Sequence, residues 1–330
     1  MKPISAGEEL SLHGRVRRSC LIFAAGLTFA AHASAKTFPA GAVQLIVPFS
    51  PGSGSDFVAR IFGEALTSAL HQPVFVTNKP GAGGTIAASS VAQAAPDGRT
   101  LVVIGVGHLA NPSLYPSLPY DTLKDFAAVG PLGTFPNVLV VPADGAITSV
   151  PQLLARAKAT PDRLTYASAG VGSAAHINMQ MLIAAAGIKV IHVPFKGAGE
   201  IVTETTTGRV QFGWAPLAAA IRMIKAGRLS ALAISSKTRS KLLPDVPTIA
   251  EAGVPAATLH VWIGLLAPAK TPKDVVATLS DEVRKASELE SVHEKLAAAG
   301  AEPMTMTPTQ FDALMRSDYE ILNRVMRNAN

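Results

Sequence analysis

Apolar runs alternate along the chain with segments of helical spacing. Residues 43–49 are almost all apolar, which is typical of a strand covered on both faces. In residues 56–70 the apolar side chains recur every three or four positions and predict a helix. Strands are predicted at 74–77 and 100–105, with a helix at 85–94 between them. This alternation predicts an α/β fold, with a parallel sheet and helices on both of its faces.

The same rhythm starts again after a strand predicted at 137–141. Further helices are predicted at 150–159, 174–186, 199–207, 216–226, 272–299 and 308–327. Further strands are predicted at 164–167, 189–194, 210–214, 229–235 and 260–267. A chain of 330 residues is longer than one hydrophobic core usually accommodates. The two successive sets of strands and helices therefore predict two lobes.

Two Gly/Ser-rich loops share one pattern, S-x-G-x-G-S. They occupy residues 50–55 and 168–173, and each lies between a predicted strand and a predicted helix. Matched loops in matched lobes are expected when both face a common cleft. The alternative is that they are ordinary turns, since Gly/Ser turns start many helices in α/β domains.

These loops have the chemistry of an anion site. A helix N-terminus leaves backbone N–H groups unpaired and carries a partial positive charge, and glycine lets a ligand approach closely. The candidates are 50–56, 81–84 and 168–173, which predict a ligand with one or more carboxylates. Asp56 either caps its own helix or acts on the ligand, by repelling a second charge or by receiving a donor.

The first 35 residues are typical of a secretory signal peptide. Arg15, Arg17 and Arg18 precede an apolar run at 20–30, and small residues end at Ala35. The run is too short to cross a bilayer, which needs about 20 residues. We therefore expect cleavage near Ala35 and a periplasmic protein, exported by either the Sec or the twin-arginine route. Cleavage would also remove the single cysteine.

Charge and motif content exclude several classes of function. The chain carries +6, and the predicted signal holds four basic and two acidic residues, which leaves +4 for the remainder. These charges are scattered, so we expect no nucleic-acid partner. Residues 170–175 match G-x-G-x-x-A, but the next predicted strand lacks the acidic residue of a dinucleotide site. No nucleophile elbow or H-E-x-x-H motif occurs, so we expect no cofactor, metal or catalytic residue.

Three further side chains are candidates for the cleft. His108 and His176 lie beside Gly-rich strand ends, although a buried, hydrogen-bonded histidine is the common alternative. Lys196 lies in a Gly-containing loop between a strand and a helix, where it either holds a carboxylate or is simply solvated.

Several stretches, taken together in this order, resemble one family. They are 47–56 (VPFSPGSGSD), 78–84 (NKPGAGG), 95–98 (APDG), 111–115 (NPSLY), 118–121 (LPYD), 166–168 (YAS), 192–197 (HVPFKG), 225–227 (KAG), 243–248 (LPDVPT) and 264–268 (GLLAP). The set resembles the Bug receptors of the TctC family, the substrate-binding proteins of tripartite tricarboxylate transporters. The resemblance covers nearly the whole chain after residue 35.

This resemblance implies a type II periplasmic binding protein fold, with two Rossmann-like lobes around a central cleft. Two crossover strands are expected near 137–141 and 260–265. The implied first lobe is discontinuous, residues 36–138 plus 261–330, and the second lobe is 139–260. The lobes would close on the ligand like a Venus flytrap.

The resemblance also implies part of the site. The ligand-binding residues that it implies are Ser50, Pro51, Gly52, Ser53, Gly54, Ser55, Gly83 and Gly84 in the first lobe and Ala169, Gly170, Gly172, Ser173 and His176 in the second. The position and chemistry of the residues themselves add Asp56, His108, Lys196, Trp214 and Ala215 as candidates. The stretch 213–216 lacks the acidic residue that the family often shows near the cleft. Trp214 is either a flat apolar wall or a core residue, and we favour a less polar or aromatic carboxylate as ligand.

The functional expectation is a solute receptor that captures a small carboxylate and delivers it to a membrane permease. We expect a monomer and no enzymatic activity. The alternatives are a ligand sensor for a membrane signalling partner and a periplasmic hydrolase with a Ser–His pair assembled in space.

Overall fold

The computed structural model describes residues 38–329, so the predicted signal peptide lies outside the described residues. The chain divides into two compact units, Met1–Ala40 and Gly41–Asn330. Of the first unit, only residues 38–40 are described, and they form bends without a helix or strand. The second unit contains every element named below.

The first sheet has six strands in the order β11-β4-β10-β3-β1-β2. Their bounds are β1 Val43–Val47, β2 Val74–Asn78, β3 Thr100–Gly105, β4 Phe126–Thr134, β10 Trp262–Pro268 and β11 Glu302–Pro303. Strand β1 pairs parallel with β2 and β3, whereas β10 runs antiparallel to β3 and β4.

The second sheet has five strands in the order β7-β6-β8-β5-β9. Their bounds are β5 Asn137–Pro142, β6 Thr165–Ser168, β7 Ile191–Pro194, β8 Phe212–Pro216 and β9 Leu229–Ile234. Strand β6 is parallel to β7 and β8, and β5 is antiparallel to β8 and β9. Each sheet is therefore mixed. The prediction of parallel sheets was wrong for β5 and β10, the strands through which the chain enters a sheet from the other one, and for β11, which is antiparallel to β4.

Helices cover both sheets. Their bounds are α1 Gly54–Leu70, α2 Thr85–Ala92, α3 Val106–Leu114, α4 Val150–Ala159, α5 Ala174–Ala186, α6 Ala198–Thr206, α7 Leu217–Lys225, α8 Lys273–Glu288, α9 Glu290–Ala298 and α10 Pro308–Ala329. Helices α1, α8 and α10 pack on the first sheet, and α5, α6 and α7 pack on the second. None of the described helices has both the length and the apolar character that crossing a membrane requires.

The chain passes between the sheets twice. Phe135 and Pro136 join β4 of the first sheet to β5 of the second. The return runs from Ile234 to Trp262 through a long connection that stays near the second sheet. There the amide of Ile234 donates to the carbonyl oxygen of Pro247, and the amide of Ile249 donates to that of Ile234. The described part of the chain thus has the predicted two-lobed binding-protein architecture, with one sheet in each lobe.

Several elements differ from the predictions, and the two-residue strand β11 was not predicted. Helix α3 and strand β4 were missed, because α3 contains Pro112 and β4 contains Gly130, Pro131 and Gly133, residues that normally interrupt such elements. The helix predicted at 272–299 is two helices, because Leu289 has extended backbone angles (φ −69°, ψ 131°) and separates α8 from α9.

Candidate functional site

A cavity of about 180 Å³ lies between the two lobes, at the carboxyl ends of β1, β3, β6 and β8. Ligands of open α/β sheets bind at such strand ends. Both Gly/Ser loops line the cavity, so the two turns face each other as the sequence predicted.

The first loop leads into α1 and is held by its own capping bonds. The hydroxyl of Ser53 accepts a hydrogen bond from the amide of Asp56 at 3.2 Å. The amides of Gly54 and Ser55, at the first turn of α1, have no partner in the described part of the chain. They are therefore donors available to a ligand that enters the cavity.

Asp56 supports this loop from behind and does not line the cavity. Its carboxylate accepts hydrogen bonds from Arg60, from the amide of Gly52 at 2.9 Å and from Asn78 at 2.9 Å. Burial raises the pKa of Asp56, but these hydrogen bonds and the charge of Arg60 outweigh burial and lower the pKa below its ordinary value. Asp56 is thus ionised, and its hydrogen bonds fix the position of the loop.

The second loop leads into α5 in the same way. The hydroxyl of Ser173 accepts a hydrogen bond from the amide of His176 at 3.3 Å. The amide of Gly172 donates a hydrogen bond to Nδ1 of His176 at 3.4 Å. The amides of Ala174 and Ala175 have no partner among the described residues. Two pairs of free N–H groups, one pair from each lobe, therefore belong to residues that line the cavity.

His176 lies beneath the second loop and outside the cavity lining. Its ring centroid is 4.8 Å from that of His192. Burial and the nearby His192 lower the pKa of His176 to about 4, and burial also lowers the pKa of His192. Both rings are neutral at pH 7, so His176 acts as an acceptor that holds the loop in place.

A Ser–His pair does form in space, but it is buried. The Oγ of Ser168 lies 2.6 Å from Nε2 of His192, and Ser168 is fully buried. The same Oγ accepts a hydrogen bond from the amide of Gly170 at 3.1 Å. Ser168 does not line the cavity, so this geometry offers a ligand no nucleophile.

The first lobe contributes His108 and Asn111 from α3 to the cavity wall. Nε2 of His108 lies 3.2 Å from the carbonyl oxygen of Thr122, and its ring stacks on Tyr120 at 5.6 Å. Burial lowers the pKa of His108 to about 4, so this ring is also neutral at pH 7.

The two lobes touch directly through glycine backbones beside the cavity. A Cβ on Gly172 would lie 3.2 Å from Cα of Gly83. A Cβ on Gly107, the second residue of α3, would overlap the carbonyl oxygen of Gly172. These contacts join the second lobe to the first, so the two lobes are closed against each other beside the cavity.

The cavity brings together most of the predicted residues. Those on its lining are Ser50, Pro51, Gly52, Ser53, Gly54, Ser55, Gly83, Gly84, His108, Ala169, Gly172, Ser173 and Lys196. Those outside its lining are Asp56, Gly170, His176, Trp214 and Ala215. Trp214 has no exposed surface and lies in β8, so it is a core residue and the interpretation as an apolar wall was wrong.

Sequence reasoning missed several lining residues. They are Val106, Gly107, Asn111, Phe135, Asn137 and Trp262. The first three lie in the helix that Pro112 concealed. The position of Val106 and Gly107 directly after an apolar strand was an available signal. The others lie where the chain crosses between lobes, and no local pattern marks a crossover residue as a cavity residue.

Comparisons with known proteins point to one family. A family model described as the tripartite tricarboxylate transporter family receptor, TctC, matches residues 58–330. Protein BugT of Bordetella pertussis is 37% identical over 312 residues, which cover 93% of this chain and 94% of BugT.

Two similar solved structures carry ligands. MatC from Rhodopseudomonas palustris with bound malate has a TM-score of 0.82 at 32% identity, over 88% of this chain and 100% of that chain. Rpa4515 of R. palustris with adipate has a TM-score of 0.82 at 31% identity, over 88% of this chain and 98% of that chain. Since the family model and BugT both match most of its length, this chain belongs to the TctC family of tripartite tricarboxylate transporter receptors, which are periplasmic solute-binding proteins.

Proposed function

We propose that this receptor captures a small carboxylate in the cavity between its lobes and delivers it to the membrane permease of a tripartite tricarboxylate-type transporter. One observation carries the proposal. Gly54 and Ser55 of the first lobe and Ala174 and Ala175 of the second line the same cavity, and the amides of all four lack a partner in the described part of the chain. Such donors at two helix starts favour an anion.

The rest of the lining suits the same ligand. Lys196 is the single charged side chain among the described lining residues, and it is positive. MatC and Rpa4515, which share the fold at about a third sequence identity, bind malate and adipate, both carboxylates. A solute that contacts both loops stabilises the closed form relative to an open one, which explains capture.

The cellular setting and domain division are part of this proposal. We infer cleavage near Ala35, a monomer in the periplasm, and lobes at 36–138 plus 261–330 and 139–260. The sheets support the lobe boundaries, since β1–β4, β10 and β11 form the first sheet and β5–β9 the second. The buried Ser168 supports reversible binding without catalysis.

The central test is a pair of variants at Ala174, the first residue of α5. Aspartate there suits a helix start, so the lobe should fold, but its charge would repel a carboxylate held by the amides of Ala174 and Ala175. A ligand at 100 times its Kd stabilises a receptor by about 2.7 kcal/mol. We expect Ala174→Asp to lose that thermal shift across a panel of carboxylates.

Ala174→Asn is the matched control, because it has nearly the same size without the charge. It should keep most of the shift. Equal shifts in the wild type and in Ala174→Asp would place the anion elsewhere and contradict the site. Delivery is tested in cells: uptake of the ligand that gives the largest shift should fall with Ala174→Asp and remain with Ala174→Asn.

A further inference from the structure

Asn137 is a buried side chain on the cavity wall, and one end of its carboxamide is unpaired. It is the first residue of β5, directly after the crossover from the first lobe, and only 2% of its surface is exposed. Its Nδ2 donates a hydrogen bond to Oδ1 of Asn178 on α5 at 2.7 Å. Its Oδ1 has no partner among the described residues and is not one of their fully buried unpaired atoms. Because Asn137 lines the cavity, this end of the carboxamide is open to a ligand.

The rest of Asn137 is fixed by the second lobe. Its backbone amide donates a hydrogen bond to Oγ of Ser235 at 3.1 Å, and its carbonyl oxygen accepts one from the amide of Ser235 at 2.9 Å. Asn178, which holds the side chain, has no exposed surface. An amide end that stays unpaired when water is excluded is unfavourable. Closure of the lobes therefore favours a ligand that supplies the missing hydrogen bond.

A ligand hydroxyl satisfies the open end of Asn137 in either orientation of its amide. The two ends exchange places if the carboxamides of Asn137 and Asn178 both turn over, since Nδ2 of Asn178 has no partner and would then be the donor between them. The cavity would then meet Nδ2 of Asn137 in place of Oδ1. A hydroxyl both donates and accepts, whereas a methylene group does neither and leaves the amide unpaired.

The charges around the cavity disfavour an ammonium group in this role. No acidic side chain is among the described lining residues, and Lys196 is positive. Helices α1, α3, α5 and α6 all begin on the lining. Besides the amides of α1 and α5, the first-turn amides without a partner among the described residues are those of Val106, Gly107, Ala198 and Gly199. Because helix starts carry a partial positive charge, a neutral hydroxyl suits this cavity better than a cation.

The position of Asn137 suits a hydroxyl close to the carboxylate. Asn178 is four residues after Ala174 on α5, so their Cα atoms are about 6 Å apart along the helix axis. Helical side chains lean toward the N-terminus, which brings Asn178 and its partner Asn137 toward the free amides of α5. A carboxylate bound at these amides can therefore present a hydroxyl on its adjacent carbon to Asn137.

We propose that Asn137 selects hydroxycarboxylates, by hydrogen bonding to a hydroxyl on the carbon next to the carboxylate. This inference rests on the proposed function and narrows its ligand class. It sets no limit on the number of carboxylates, since the starts of α3 and α6 offer further donors. The sequence-based preference for a less polar ligand rested on Trp214, which is a core residue.

The test compares acids that differ only at that carbon. Three matched sets cover small, dicarboxylic and aromatic ligands: lactate, propionate and alanine; malate, succinate and aspartate; mandelate, phenylacetate and phenylglycine. Each Kd is measured by isothermal titration calorimetry on the mature receptor, with both enantiomers of every chiral acid. In the set that binds most tightly, the hydroxy acid should bind at least about tenfold more tightly than the other two.

The outcomes separate this inference from the proposed function. Equal binding of the hydroxy acid and its unsubstituted analogue, or tightest binding of the amino acid, overturns the selection and leaves the proposed function standing. If no acid of the three sets binds, the selection of hydroxycarboxylates is wrong. The wider carboxylate panel of the Ala174 test then decides the proposed function separately.

A variant tests Asn137 itself. Asn137→Ala removes the hydrogen bond, so the preference for the hydroxy acid over its unsubstituted analogue should fall to about twofold or less. A general loss of packing would weaken both acids alike and keep the preference. Lys196→Gln is the control, because loss of this exposed charge on the lining should weaken both acids without changing the preference.

A preference that survives in Asn137→Ala would overturn the assignment of Asn137. If this variant does not fold, the matched sets on the unaltered receptor still decide whether a hydroxyl is selected.

Discussion

The two Gly/Ser loops use their serines differently at the residue scale. Ser53, the fourth residue of its motif, caps α1, whereas Ser173, the sixth residue of its motif, caps α5. Ser55 therefore has a hydroxyl without a hydrogen-bond partner among the described residues, and it lines the cavity. One sequence pattern supplies a helix cap in one lobe and a free donor in the other.

The buried histidines predict how stability depends on pH. The pKa of His176 falls from 6.5 to about 4 on folding because burial disfavours its charged form. Below about pH 6.5 the unfolded chain binds a proton on this ring that the folded protein does not bind until about pH 4. The free energy of unfolding should therefore fall as pH drops through this window, by about 1–3 kcal/mol for this ring.

The measurement is urea unfolding of the wild type and His176→Gln between pH 7 and 4.5. Glutamine keeps an acceptor near Gly172 but has no titration, so the pH slope should become smaller. It should not vanish, because burial also lowers the pKa of His108 to about 4. His293→Gln, at an exposed position on α9, is the control. An unchanged slope in His176→Gln would show that His176 is not buried as a neutral ring.

At the scale of elements, helix α3 is the surface that receives the second lobe. Its start contacts the carbonyl oxygen of Gly172, and α3 and α10 of the first lobe both pack against α5 of the second. The absence of a side chain at Gly107 is thus a condition for closure, although it lies inside a helix, where glycine is otherwise unfavourable.

Gly107→Ala should leave the first lobe folded and prevent full closure. Alanine suits the helix, but its Cβ would overlap Gly172 in the closed form only. We expect at least about a tenfold loss of ligand affinity, measured by calorimetry, with no loss of thermal stability in the absence of ligand. Gly63→Ala in α1 is the control, because its Cβ would make ordinary contacts of 3.7 Å or more. Normal affinity in Gly107→Ala would contradict this role of α3.

For the whole molecule, we expect one lobe to move relative to the other about the two crossings, at Phe135–Pro136 and between Ile234 and Trp262. Because the proposed ligand contacts both loops only when they face each other, ligand should shift the population toward the closed form. Small-angle X-ray scattering should show a smaller radius of gyration at saturating ligand. A radius unchanged by ligand would mean that the receptor does not close on it.

The sequence by itself determined the elements and chemistry that depend on near neighbours along the chain. The spacing of apolar residues and the continuous apolar runs located strands such as β1 and β5. Gly and Ser residues just before a predicted helix identified both loops. These predictions succeeded because burial of a strand and capping of a helix are local properties. The family resemblance extended them to a two-lobed receptor.

Only the tertiary structure decided which residues share the cavity. Phe135 and Trp262 reach it because the chain crosses between lobes beside them, while Trp214, at the end of a similar strand, is buried in the core. His176 and Asp56 likewise lie behind the loops that they brace. The physical reason is that a cavity wall is assembled from residues distant along the chain, whose side-chain directions are set by packing between elements and leave no periodic trace in the sequence.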